Sequence, residues 1–311
     1  MIRRFCFFAS TALLVFVSIQ ARAEILPASS PYGEAAVTRS ISYVANPTSR
    51  QNFDLFLPTT KGDQPFPLVV WIHGGAWMSG SKEWDNVKYL VRRGYAIASV
   101  DYRFSPEARF PAQIQDCNAA LNFILAHATN YGISPQHFVV AGGSAGGHLA
   151  LLLGMARQEK DFDADPAIKP AAILDFFGPV DFSKMKADLT DIHSQKGLDL
   201  LQDAGTKLLG PESEQTPEQI KNASPITYVN AANPPVLILQ GGQDDLVPAV
   251  QSRRLHEALT QAGVKNQLII VGAAGHDGPL FSTPETAAKV IHFLSEISSA
   301  SNGQKDKTRH Q

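Results

Sequence analysis

Six uninterrupted apolar runs constrain this chain more than any other feature: PLVVWIHGG, YAIASVDY, HFVVAGG, AAILDFFG, PVLILQGG and QLIIVGA. Each has the length of a strand, and each is apolar at successive residues, so both of its faces must be covered. Strands of that kind belong in the interior of a parallel sheet with helices on either side. The segments between them carry helical spacing. PAQIQDCNAALNFILAHA opens on a proline and sets Ile114, Cys117, Leu121 and Ile124 on one face. SKEWDNVKYLVRRG places Trp84, Val87 and Val91 on a stripe and reaches Gly94, a suitable helix C-cap. PAVQSRRLHEALTQAG and TPETAAKVIHFLSEIS repeat the pattern.

Ahead of these runs, AVTRSISYV and QNFDLFLP alternate in polarity around the turn-former ANPTSR, as an antiparallel pair at a sheet edge would. The expected architecture is one doubly wound α/β domain over residues 24–298, with a mostly parallel sheet of eight strands and helices on both faces. Only residues 181–232, polar and proline-containing, break the alternation. They are expected to form a small cap-like insertion between the sixth and seventh strands.

The termini read differently. MIRR, then FCFFASTALLVFVSI, then ARA give the positive, apolar and small-x-small regions of a signal peptide cleaved after Ala23. The apolar run is shorter than the ~20 residues of a membrane span, so no stable membrane insertion is expected after cleavage, and the product would be periplasmic or extracellular. Cleavage would leave Cys117 as the only cysteine, so no internal disulfide is expected. It would also remove Arg3, Arg4 and Arg22, taking the formal charge from −2 to −5. That balance excludes a nucleic-acid partner of the usual basic kind. The polar end, residues 299–311, lacks apolar residues and reads as a disordered tail. The oligomeric state is left open.

The chemistry concentrates at Gly142-Gly143-Ser144-Ala145-Gly146, a G-x-S-x-G pattern between a strand and an apolar helix. A serine there sits on a strained turn, exposed at the carboxyl end of the sheet, with the helix N-terminus beside any developing anion. A serine hydroxyl needs a base, and the base needs an orienting acid. Among the nine histidines, His127, His256 and His292 fall within amphipathic helices. His193 lies in the insertion, His310 in the tail, and His137 at the wrong end of its strand. His148, one turn beyond Ser144, and His73 read as structural. His276 remains, in a Gly/Ala-rich loop directly after the last strand.

Two adjacent aspartates, Asp244 and Asp245, follow the seventh strand, and only one can point at the histidine. Asp175 and Asp181 are the alternatives; Asp101 and Asp116 read as structural. The order Ser, Asp, His is that of α/β hydrolases. The glycines of WIHGGAW free backbone N–H groups for an oxyanion, together with that of Ala145. Neither a His-Glu-x-x-His pattern nor a cysteine pair occurs, so no metal or other cofactor is implied.

HGGAW, GSK, VDYRFSPEARFPAQIQDC, GGSAGGHLA, ASPITYV, PPVLILQGGQDDLVP and GAAGHDG, in that order across residues 37–295, resemble the bacterial α/β-hydrolase esterases of the feruloyl and carbohydrate acetyl esterase group. Hormone-sensitive-lipase-like esterases and kynurenine formamidases are more distant. The resemblance implies a serine carboxylesterase with a catalytic triad and an acyl-enzyme intermediate, and it aligns the family's D-x-x-V-P acid with Asp244. It places the oxyanion donors on Gly75, Ala76 and Ala145. Ala76 stands where a third glycine is usual, and Asp277 stands where glycine is common after the histidine. The implied substrate is a small-molecule or carbohydrate-linked ester with a short or aromatic acyl group. An amidase or peptidase of the same fold, or an exported binding protein without activity, are the competing readings.

Overall fold

The computed structural model describes residues 23–60 and 62–308. The expected signal peptide lies, apart from Ala23, outside the described residues. Among the described residues, nine strands form a single sheet: β1 (Glu24–Leu26), β2 (Ala35–Ser42), β3 (Asn52–Pro58), β4 (Phe66–Ile72), β5 (Ala96–Val100), β6 (Ile133–Gly143), β7 (Ile173–Phe176), β8 (Val236–Gly241) and β9 (Asn266–Val271). Their order is β1-β2-β3-β5-β4-β6-β7-β8-β9. The first three and β5 pair antiparallel, and the rest run parallel. The eight expected strands are β2 to β9. The ninth, β1, is three residues long and mostly exposed, and a segment that short carries no periodicity to read.

Why the apolar runs are continuous is visible in β4. Leu68, Val70 and Ile72 face one core, while Val69 and Trp71 face another on the opposite side of the sheet. Alternate side chains leave a strand on opposite faces, so a strand buried on both faces must be apolar throughout. Helices α1 (Ala112–Ala126), α2 (Ala145–Met155) and α6 (Ala249–Gln261) cover the first face, and α7 (Pro284–Thr308) covers the second. Ile114, Cys117, Leu121 and Ile124 are all buried, on the face of α1 that their spacing predicted.

One expectation is corrected. Residues 81–94 do not form one helix: only Lys88–Arg93 coils, as a 3₁₀ turn closed by Gly94 at φ 85°. The Asp85 carboxylate accepts from the Val87 amide, and the Trp84 carbonyl accepts from the Trp71 indole. Such side-chain bonds compete with helical ones. Trp84, expected on a buried stripe, is 58% exposed. At the other end, the backbone of α7 continues to Thr308, into the segment that composition alone read as disordered; no proline interrupts it.

The insertion folds into α3 (Phe182–Asp191), α4 (Gln195–Leu209) and α5 (Pro217–Asn222). Each begins at a side-chain cap: Asp181 accepts from Ser183 N, Ser194 from Gly197 N, and Thr216 forms a capping box with Gln219. These satisfy amides that a helix N-terminus leaves without partners.

Candidate active site

Strand β6 ends at Gly143 and α2 begins at Ala145, leaving Ser144 on the turn at φ 55°, ψ −120°. This is a backbone conformation that non-glycine residues rarely hold, and the surroundings fix it. The Ser144 amide donates to Phe176 O at 2.8 Å, and its carbonyl accepts from His148 N. The glycines on either side answer to close approach. A Cβ on Gly142 would lie 2.2 Å from Gly146 O, and one on Gly146 would lie 2.0 Å from Ile72 O. Both contacts are with backbone, so nothing but glycine lets β6, the turn and β4 come this close.

Parallel neighbours bring the partners in. His276, in the loop after β9, sets Nε2 2.8 Å from Ser144 Oγ and Nδ1 2.8 Å from Asp244 Oδ2. Its ring packs edge-on against Phe177, with centroids 5.0 Å apart. The Asp244 side chain is fully buried. Its Oδ1 accepts from the Leu246 and Val247 amides, and its Oδ2 accepts from Gln240 Nε2 as well as from the histidine. A carboxylate with this many donors is held in place.

Asp245 is half exposed and faces Lys196 at 3.7 Å. Asp181 caps α3. Asp175 lies behind the turn, packed against Gly147 and Gly178 and accepting from the Gly178 amide. Burial pushes its carboxyl up to about 8. Of the four aspartates considered, only Asp244 reaches His276.

The loop His73-Gly74-Gly75-Ala76 lies against the serine: a Cβ on Gly74 would be 3.2 Å from Ser144 Cβ. Ala76 and Ala145 line the pocket beside Ser144 and His276. Ala145 is the first residue of α2, so its N–H has no acceptor within the helix. Gly75 sits one residue back, at φ 112°, with its carbonyl taking the Met78 and Ser79 amides. His73 is buried, stacked on Tyr102 and facing Asp101 at 3.2 Å, so it braces the loop from below. His148 is buried too. Its Nδ1 accepts from the Trp77 indole and its Nε2 donates to Ala223 O. Burial lowers its pKa to about 4, so it is a neutral strut between α2, the loop and the insertion.

Beyond the serine an apolar pocket opens, walled by Trp77 from the loop and by Phe182, Met185, Leu200, Leu201 and Ala204 from α3 and α4. The insertion, polar on average, therefore turns an apolar face to the site. Two contributors were not identified from sequence. Gln240 orients Asp244 and is itself held by Ser252 Oγ; a lone polar residue inside the run PVLILQGG was the available signal. Gln251 accepts the Val180 and Asp181 amides and donates to Asp181 O, pinning the start of the insertion. Its helix is amphipathic, so nothing set this glutamine apart.

Residues 53–259 match the BD-FAE family. A probable carboxylic ester hydrolase, LipM of Mycobacterium tuberculosis, is 30% identical over 245 residues, covering 74% of this chain and 54% of that protein. The chain thus spans about half the length of this curated relative. A truncated carbohydrate esterase from gut microbiota superposes with a TM-score of 0.73 at 27% identity, over 85% of this chain and 96% of that one. Esterase B of Lactobacillus rhamnosis, at 20% identity, shares the fold with a TM-score of 0.75 over 89% of each chain. The match over residues 53–259 and a mostly parallel sheet like that of these esterases lead to one conclusion: this chain belongs to the BD-FAE family and has the α/β-hydrolase fold.

Proposed function

We propose that the protein is a serine carboxylesterase acting on short-acyl or compact aromatic esters, of the acetyl or feruloyl kind, through an acyl-enzyme. The observation that carries this reading is the hydrogen-bonded row from Ser144 through His276 to buried Asp244, set at the mouth of an apolar pocket. His276 Nε2 takes the serine proton as Ser144 Oγ attacks the ester carbonyl, and later returns it to the leaving alcohol. Asp244 holds the other ring nitrogen and stabilises the imidazolium that forms between those steps. The amides of Ala76 and Ala145, with Gly75, face the developing oxyanion, and water then repeats the sequence on the acyl-enzyme. Trp77, Phe182, Met185 and the α4 leucines crowd the acyl side, which favours a short chain. The similarity to a carbohydrate esterase and to a carboxylic ester hydrolase agrees with this chemistry. The N-terminal pattern adds export as part of the proposal.

The test uses p-nitrophenyl esters of two to twelve carbons, with Ser144→Ala as control. The expected result is a kcat/KM that falls from acetate and butyrate towards octanoate. In the variant, activity and covalent labelling by an organophosphonate should both be lost. Labelling that persists in the variant, or a maximum at eight carbons or beyond, overturns the proposal.

A further inference from the structure

Trp84 is 58% exposed, yet it is held firmly. Its amide donates to Ser81 O, and its carbonyl accepts from the Trp71 indole at 2.6 Å. The next residue, Asp85, is buried, accepting from Val87 N and from the Tyr32 hydroxyl. With Asp85 turned inward, Trp84 is turned out to solvent and Asn86 lies only partly covered. An exposed tryptophan on a loop whose backbone is anchored in this way presents an apolar face to solvent.

The same loop reaches the site. Asn86 Nδ2 donates to Asp277 Oδ1 at 3.3 Å, and Asn86 O accepts from Ser282 Oγ. Asp277 directly follows His276 and holds φ 65°, a left-handed conformation unusual outside glycine. The apolar pocket beside Ser144 is lined by the oxyanion loop, α3 and α4, and none of Trp84, Asn86 and Asp277 lines it. In the proposed mechanism His276 protonates the leaving oxygen, so the alcohol must approach from the histidine side. Asp277 follows that histidine, Asn86 is bonded to Asp277, and Trp84 lies two residues before Asn86.

We infer that Trp84, Asn86 and Asp277 form a subsite for the alcohol portion of the ester, taking a pyranose ring with its apolar face on the indole and its hydroxyls on the carboxylate and amide. The inference rests on the esterase reading for its placement. Sugar binding is measured without turnover, so the two readings can fail separately.

Trp71 and Trp77 are 2% and 6% exposed, so the long-wavelength tryptophan emission belongs to Trp84. Xylohexaose, cellohexaose and mannohexaose are titrated into the full protein. At least one should shift or quench that emission saturably, and Trp84→Ala should abolish the signal. This substitution keeps both backbone bonds of residue 84, so the loop is retained. In a second arm, the ratio of kcat/KM for acetylated xylo-oligosaccharide to that for ethyl acetate should fall fivefold or more in Trp84→Ala, through KM. No response to any of the three sugars, or a smaller change in the ratio, overturns the subsite. A protein that binds sugar but hydrolyses no ester overturns the esterase reading instead.

Discussion

Replacing Asp244 by asparagine isolates what the buried carboxylate does. Its two oxygens are committed: Oδ1 to the Leu246 and Val247 amides, Oδ2 to Gln240 Nε2 and His276 Nδ1. An asparagine must keep its oxygen on the side of the two backbone amides, since turning its NH2 there would face donors with a donor. The NH2 then meets His276 Nδ1 and forces the proton onto Nε2, the nitrogen 2.8 Å from Ser144 Oγ. A protonated Nε2 cannot take the serine proton. The same change of tautomer in a serine protease triad lowers kcat by about 10⁴, equivalent to about 5 kcal/mol of transition-state stabilisation. Asp245→Asn removes only a half-exposed 3.7 Å contact with Lys196 and should change the rate less than twofold. The assay is steady-state hydrolysis of p-nitrophenyl acetate at pH 8, with thermal melts to establish folding. A loss below tenfold in Asp244→Asn, or a larger loss in Asp245→Asn, refutes the assignment.

The glycine contacts make Gly146→Ala far more costly than its single methyl suggests. The added carbon would sit 2.0 Å from Ile72 O and 2.6 Å from His73 O, so chemical denaturation should show a loss of about 3 kcal/mol or more, with activity lost alongside. Gly205→Ala in α4, with nothing within 4 Å of the new carbon, should instead gain up to about 1 kcal/mol. His148 supplies a pH dependence. Its native pKa of about 4 lies below the unfolded 6.5, so between those values the unfolded chain binds a proton that the native protein refuses. Its contribution is intact above pH 6.5 and is lost as pH falls towards 4, by about 3 kcal/mol in total. Urea midpoints across that range should fall less steeply in His148→Gln, which keeps an acceptor for Trp77 and a donor for Ala223; equal slopes would contradict this.

Much of this was legible in the chain. A strand buried on both faces is apolar at nearly every position, so β4 to β8 stood out as runs. A serine flanked by glycines between such a strand and an apolar helix has few other mechanical uses, and His276 followed from its place after the last strand. What was not legible depended on contacts distant in sequence. Residues 81–87 have helical spacing, but the Trp71 indole and the Asp85 carboxylate take the bonds that a helix would use. The choice of Asp244 over Asp245 needed the resemblance, because spacing alone does not say which of two neighbours turns inward. The insertion read simply as a polar cap because its average composition hides the apolar faces that α3 and α4 turn to the pocket.

The hydroxyl of Ser194, at the start of α4, bonds the carbonyl of Asp245, and Gly197 lies so close that a Cβ there would sit 2.5 Å from the same oxygen. The roof of the acyl pocket is therefore fastened to the residue immediately after the catalytic-acid candidate. An acyl chain long enough to lift α4 would pull on the acid loop through this bond and slacken its hold on His276. Under the proposed mechanism, overlong substrates would be penalised twice, once in fitting and again in turnover. Length selection would then be registered in kcat as well as in KM, without any group that touches the end of the chain.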